Sequence, residues 1–391
     1  MSTAESLFRS QLATELASEI EQKLTKANEL SLISQYRKAG IDPEVLRFCL
    51  NQARFKQRAR AKFGNQVDHM LFTEPGLEQS TRGEVANWHA SQFQKNGLSS
   101  VTDLGAGIGA DSIAFATSGL SVTSLENHPD SFEALQHNLS RFSNATALEI
   151  SAEGHEVLTD AIWLDPARRD QDRKSLTPQR LEPAMFSPNL TWVFELAQKF
   201  PAGIKLAPAF PHELIPAGFE ANWVSHNGDL VELTLWSNPI GEPGIKKAVM
   251  VATEVLEFAG KDTAGSLAEL GNYIYEPDVS LIRSHLIGDF ANQNDLALIS
   301  EGIAYLTSEH EMRSPWLKGY RVLDVLPLDE KTIRGYCHKN NIGILEIKKR
   351  GVDITPEQLR PKLKLKGSAS ATLILTKVGS SRQAIVCEPI R

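Results

Sequence analysis

The run Asp103-Leu104-Gly105-Ala106-Gly107-Ile108-Gly109 decides the fold. It follows a short apolar stretch, 101–104, and precedes a helical pattern, 111–117. Three glycines between a strand and a helix let the backbone approach a ligand closely, with the helix N-terminus facing it. Seventeen residues beyond Gly109, Glu126 ends a second short strand, 122–125, where an acid can accept both hydroxyls of a ribose. Asp103, two residues before the first glycine, stands where dinucleotide sites usually carry an apolar residue.

Outward from this loop the spacing predicts strands at 147–150, 161–164 and 204–206, with a helix over 130–141. Strands alternating with helices argue for an α/β fold, a mostly parallel Rossmann-like sheet with helices on both faces. The alternating stretch Leu230-Val231-Glu232-Leu233-Thr234-Leu235-Trp236 suits a later strand of that sheet, antiparallel or not, and 248–258 reads as further strand. Upstream, Leu7, Leu12, Leu16 and Ile20 predict a helix over 1–30. A second covers 42–63, opened by Asp42-Pro43 and stopped at Gly64, and a third 81–94, with Ser80 or Thr81 as cap and Glu84 in a capping box. A separate α+β unit with its own strands begins near Glu276 and closes on a hairpin turning at Gly379-Ser380-Ser381. The expected domains are an N-terminal helical region (1–95), a ligand-binding α/β domain (96–260) and a smaller C-terminal α+β domain (275–391).

Composition fits a globular chain of 391 residues, 41% hydrophobic and 23% charged, with a formal charge of -7. The charge is unevenly placed. Between Lys331 and Lys377 eleven Lys/Arg face three Asp/Glu, a surplus of eight, so the remainder carries -15. Such a segment suits a polyanion partner or a solvated face. Cys49, Cys337 and Cys387 are scattered with no CxxC pair or His cluster, which supports neither a disulfide framework nor a metal site. The charged N-terminus has no apolar core of a signal peptide, and no window approaches ~18 uninterrupted apolar residues. The expectation is a reducing, cytoplasmic setting with no membrane partner; nothing bears on oligomeric state.

A second informative stretch, Trp163-Leu164-Asp165-Pro166-Ala167-Arg168-Arg169, follows the fourth strand at the carboxyl edge, where open α/β sheets bind substrates. No cysteine lies between residues 50 and 336, so a cysteine nucleophile near this edge of the sheet is disfavoured. A G-x-G-x-x-G nicotinamide fingerprint would place its last glycine at 110, which is Ala.

With its glycine loop and acid, the sequence resembles the class I S-adenosylmethionine (SAM)-dependent methyltransferases. The resemblance implies SAM as cofactor, a loop of Asp103, Gly105, Ala106, Gly107, Gly109 and Asp111, a ribose acid at Glu126, and adenosine contacts from Asn127, Ala152 and Glu153. Asp165-Pro166 is similar to the [D/N/S]-P-P-[Y/W/R] motif of methyltransferases acting on nucleobases or planar amines. There the acid and a proline carbonyl hold the amine, which implies catalytic roles for Asp165 and Pro166. Ala167 replaces the second proline and Arg168 the aromatic; an arginine can stack on a base or clamp a phosphate. The segments Leu77-Glu78-Gln79-Ser80-Thr81-Arg82-Gly83-Glu84-Val85-Ala86 and Asp111-Ser112-Ile113-Ala114-Phe115-Ala116 resemble those flanking the loop in trimethylguanosine synthases. Leu77-Glu78-Gln79, the D-P-A-R-R motif and the tail Lys348-Lys349-Arg350-Gly351 with Lys362-Leu363-Lys364-Leu365-Lys366-Gly367 resemble a bacterial methyltransferase group with a C-terminal THUMP-like domain.

THUMP domains bind RNA, commonly tRNA, so the resemblance implies an RNA substrate (possible classes being tRNA or rRNA) with base nitrogen as acceptor. Candidate RNA contacts are Lys348, Lys349, Arg350, Lys362, Lys364 and Lys366. The last three, at spacing two, would line one face of a strand, to follow a phosphate backbone or to protect an exposed edge. A small-molecule methyltransferase and a catalytically degenerate RNA-binding protein are the alternatives.

Overall fold

A computed structural model describes residues 7–168 and 182–390, without the side chain of Arg168. Arg169 of the D-P-A-R-R stretch, and the first six residues of the expected N-terminal helix, lie outside the described residues. The chain divides into two compact units, one of Met1–Ala221, Leu233–Gly244 and Val251–Thr253, the other of Asn222–Glu232, Ile245–Met250 and Glu254–Arg391.

The first unit opens with helices α1 (Gln11–Lys23), α2 (Glu29–Lys38) and α3 (Pro43–Phe63). The single helix expected over 1–30 is thus broken at Leu24, whose extended backbone ends α1, and α2 was not foreseen. Asp42 caps α3, accepting from the Glu44 and Val45 amides, and Gly64 ends it at φ 54°. Helices α4 (Glu74–Gln79) and α5 (Gly83–Lys95) lead into the sheet. Arg82, not Ser80 or Thr81, is the N-cap residue of α5, and no side chain caps it. The Thr81 hydroxyl is engaged elsewhere, on Asp111.

Strands β1 (Ser100–Leu104), β2 (Ser121–Leu125), β3 (Ala145–Leu148), β4 (Ala161–Leu164) and β7 (Ala202–Leu206) are parallel in the order β3-β2-β1-β4-β7. Strand β8 (Asp229–Ser237) runs antiparallel beside β7, pairing Gly203 with Trp236. Helices α6 (Ala110–Thr117), α7 (Pro129–Leu139) and α8 (Leu190–Ala197) connect the parallel strands. A short antiparallel pair, β5 (Ala167–Arg168) with β6 (Phe186–Ser187), follows β4. The central strands β1 and β4 are buried throughout or nearly so, which is why they read as apolar runs rather than alternating ones.

Two buried amides staple the helical region to the sheet. Gln52 on α3 bonds both the N–H and C=O of Phe72, and Asn138 on α7 bonds both groups of Leu71. Asn138 also donates to the Ile108 carbonyl in the glycine loop, so one side chain ties three segments.

In the second unit a seven-stranded sheet carries Tyr273–Pro277, Leu317–Pro327, Ser381–Pro389, Ala369–Val378 and the edge strand Ile342–Arg350 as consecutive neighbours. The last two elements in the chain form the expected hairpin, with Val378 opposite Ser381. The strand expected to carry Lys362, Lys364 and Lys366 is absent. Pro356–Leu363 is a helix with a Thr355–Gln358 capping box, and Lys364 ends it in the left-handed region at φ 47°. No helix among the described residues is long and apolar enough to cross a membrane.

Candidate active site at the carboxyl edge of the sheet

The glycine loop leaves β1 and enters α6 with Gly105, Gly107 and Gly109 at φ 99°, 58° and 87°, which only glycine adopts without strain. The amides of Gly105 and Ala106 bond to the Leu125 carbonyl at the end of β2, fixing the loop against that strand. A side chain on Gly109 would collide with Leu135, whereas the space beside Gly105 and Gly107 is open. Close packing therefore explains the third glycine, and an open cradle remains over the first two.

Glu126 lies beside this cradle. Its carboxylate accepts from the Gly107 amide at 2.9 Å and from the His128 amide at 2.7 Å. A carboxylate has about four acceptor positions, so this one is held in place with capacity for two further donors. That donor set fits a ribose diol. Asn127 is exposed next to it; beyond β3, Ala152 is buried and Glu153 is exposed, accepting from Ser151.

The two acids flanking the loop are buried, and their surroundings push them in opposite directions. Burial pushes Asp103 far above the usual carboxylate range; the Ser112 hydroxyl opposes this, and the charges of Asp111 and Asp165 add to it. Asp111 goes the other way. Burial alone would raise it, but the His89 ring, Lys205 and the Thr81 hydroxyl outweigh burial and hold it below the usual value. Both Asp111 oxygens are engaged, one by Thr81 at 2.7 Å and one by His89 Nδ1 at 2.8 Å. His89 is completely buried, its ring 4.3 Å from that of Trp163.

Asp165 follows β4 and is partly exposed; Pro166 beside it is buried. Its carboxylate is ion-paired with Lys205, near the end of β7. Lys205 also donates to Thr81 at 3.0 Å and reaches the Gln79 carbonyl at 3.4 Å. A continuous polar chain thus runs His89–Asp111–Thr81–Lys205–Asp165, from the core to the sheet edge. The motif reading missed Lys205, Thr81 and His89. Lys205 left a signal, a lysine inside the apolar strand Ile204-Lys205-Leu206, but its partners lie 40 or more positions away.

Of the candidate RNA contacts in the second unit, Lys348 pairs with Glu276 at 2.6 Å and lies over Tyr320; Arg350 lies over Tyr305 and 3.8 Å from the same Glu276. Lys349, Lys362, Lys364 and Lys366 are exposed, while Leu363 is buried and Leu365 packs beside it. The alternation of inward leucine and outward lysine holds although the segment is a helix end. Among the described residues no group of His, Cys, Asp and Glu is placed to hold a metal.

Residues 317–389 match the family model described as THUMP domain-like. The chain is 28% identical over 351 residues to an uncharacterized S-adenosylmethionine-dependent methyltransferase of Mycobacterium tuberculosis, found in strains CDC 1551 and H37Rv, across 86% of this chain and 95% of the relative. Its fold is shared with a structure from Porphyromonas gingivalis W83 assigned as a methyltransferase, at TM-score 0.74 and 18% identity, covering 90% of this chain and 92% of that one. With the sheet order, the glycine loop and the acid after β2, these likenesses agree. Over most of its length the chain is similar to an S-adenosylmethionine-dependent methyltransferase, in a shared methyltransferase fold, and its C-terminal segment matches a THUMP-like domain.

Proposed function

We propose that the protein methylates RNA at a base nitrogen, with SAM held over Gly105 and Gly107 by the loop and by Glu126. The observation that carries the reading is the position of Asp165. It leaves β4 beside the strand that bears the glycine loop, partly exposed and held by the Lys205 ammonium. Bound SAM supplies an electrophilic sulfonium methyl. Asp165 accepts a hydrogen bond from a substrate N–H, and with the Pro166 carbonyl turns the nitrogen lone pair towards that methyl. The nitrogen sheds its proton to Asp165 as the bond to the methyl carbon forms and the bond from that carbon to sulfur breaks. Most of the rate comes from positioning rather than from covalent chemistry. The Arg168 backbone pairs with Phe186 beside this edge, and we assign its guanidinium to stacking on the base or holding its phosphate.

The buried acids serve the cofactor indirectly. Asp103 and Asp111 brace the loop from behind, through Ser112 on one side and Thr81 with His89 on the other. Asn127, Ala152 and Glu153 are assigned to the adenosine side. RNA is the substrate class because the matched C-terminal domain is THUMP-like and because Lys349, Lys362, Lys364 and Lys366 are exposed there. Tritium transfer from labelled SAM to total cellular RNA tests this. Label in RNA that Asp165→Ala reduces at least a hundredfold is expected; label only in small molecules would overturn the RNA assignment.

A further inference from the structure

The basic row on α3 (Arg54, Lys56, Arg58, Arg60, Lys62) separates by partner. Arg54 pairs with Glu29, Arg60 with Glu21 and Asp68, and Lys56 is buried on Ser18 and the Asp68 carbonyl. These three hold the helical region together. Arg58 and Lys62, one turn apart on the same face, point instead to residues 74–80, the segment leading to the Asp165 edge. Among the described residues, Arg58 makes long, exposed contacts with Glu74 and Glu78, at 3.8 and 3.7 Å. Lys62 donates to the carbonyls of Leu77, Glu78 and Ser80. Its neighbour in that segment, Gln79, gives its carbonyl to Lys205, the partner of Asp165. Arg82 follows at the start of α5, where Gly83 approaches the last turn of α3: a Cβ there would lie 3.4 Å from the Lys62 carbonyl.

Four cationic residues thus stand in or against residues 77–82, Arg58 through Glu78, Lys62 and Lys205 through backbone carbonyls, and Arg82 within the segment itself. Burial first, then Arg82 and Lys205, bring Lys62 down to about 8, with Arg58 adding to this and Glu78 opposing it. Like charges held together beside a substrate edge are stabilised when an anion joins them. Single, loosely placed surface carboxylates such as Glu74 and Glu78 give such a cluster little compensation.

We propose that Arg58 and Arg82 form a phosphate subsite that binds the phosphodiester beside the target nucleotide, with Lys62, whose three N–H donors are held by carbonyls, adding its charge from behind and Lys205 joining it to the Asp165 edge. The assignment rests on the RNA reading above. It places the backbone of the substrate on α3 and the start of α5, so that one phosphate anchors the strand while the base reaches Asp165. Binding of the anion favours the protonated form of Lys62 and is therefore accompanied by proton uptake. Affinity falls as pH rises through about 8.

The test is fluorescence anisotropy with a labelled single-stranded RNA of about 12 nucleotides and the full-length protein saturated with S-adenosylhomocysteine, over a salt series and across pH 8. The Arg58→Gln/Arg82→Gln variant is expected to bind RNA about tenfold more weakly, with a salt slope smaller by about 1.4, two phosphate-neutralising charges at ~0.7 each. Lys62→Met is expected to lose the fall in affinity with pH. S-adenosylhomocysteine affinity stays unchanged in the arginine variant. Unchanged RNA affinity and slope in that variant would overturn the subsite and leave the RNA assignment standing. A wild-type protein that binds S-adenosylhomocysteine but no RNA would overturn both, leaving the cofactor site intact.

Discussion

At the scale of single residues, the site is a set of carboxylates whose surroundings assign them different work. Asp103 is pushed upward by burial, so its folded value exceeds the unfolded one. Its contribution to stability is then complete below the unfolded carboxylate value, ~3.9, and is lost as pH rises towards the folded value. Asp103→Asn keeps an acceptor for Ser112 and removes the titration. Urea unfolding at pH 5 and pH 8 is expected to show a smaller loss of stability with pH in the variant than in the wild type; equal losses would contradict the assignment. Asp111 has the opposite sign. Held low by His89, Lys205 and Thr81 against its burial, it contributes at neutral pH and loses that contribution only in acid. His89→Phe leaves Asp111 with one fewer hydrogen bond in a buried place, an expected cost of about 2 kcal/mol in the same unfolding experiment. Glycine loop, Glu126 and Asp165 were legible in the sequence because each sits at a fixed offset from a strand end. The chain His89–Asp111–Thr81–Lys205 was not, because its contacts span between 22 and 124 positions and no local pattern marks them.

At the scale of elements, the parallel strands were readable as short apolar runs, three of them followed by Gly105, Glu126 or Asp165; Ala161–Leu164 stands where expected, and the other four differ at an end by one or two residues. The N-terminal helices were less readable. The spacing of Leu7, Leu12, Leu16 and Ile20 suggests one helix, yet α1 starts at Gln11 behind the Ser10 cap, Leu12 is exposed, and nothing apolar announces the break at Leu24. The lysine-leucine alternation of 362–366 imitated a strand, although Thr355-Pro356-Glu357-Gln358 just before it is a helix start, with capping box and first-turn proline. Local alternation lost to capping. The staple at Asn138 has a consequence of its own. Asn138→Ala leaves the Leu71 amide, the Leu71 carbonyl and the Ile108 carbonyl without this partner in the core. An expected loss of about 3 kcal/mol in unfolding free energy should accompany weaker cofactor binding, since Ile108 belongs to the glycine loop. Gly76→Ala acts on the same loop from α4: its Cβ would lie 2.3 Å from Ile108 Cγ2. Calorimetry is expected to show reduced SAM affinity without loss of RNA binding.

At the scale of the whole molecule, the proposed function divides the work, with RNA contacts assigned to the exposed lysines of the second unit. Changing Lys349, Lys362, Lys364 and Lys366 to Gln is expected to lower the salt slope of RNA binding by about 2.8, four charges at ~0.7 each, with SAM affinity unchanged. An unaltered slope would return these lysines to the role of a solvated face. The central claim concerns the other unit, where Glu126 stands beside an open glycine cradle. The most direct measurement is calorimetric titration of SAM into the wild-type protein and into Glu126→Ala. Micromolar binding, weakened tenfold or more by the substitution, about 1.4 kcal/mol, is the expected result. Folded wild-type protein that binds no SAM, or a variant that binds it equally well, would contradict the site described for the cofactor.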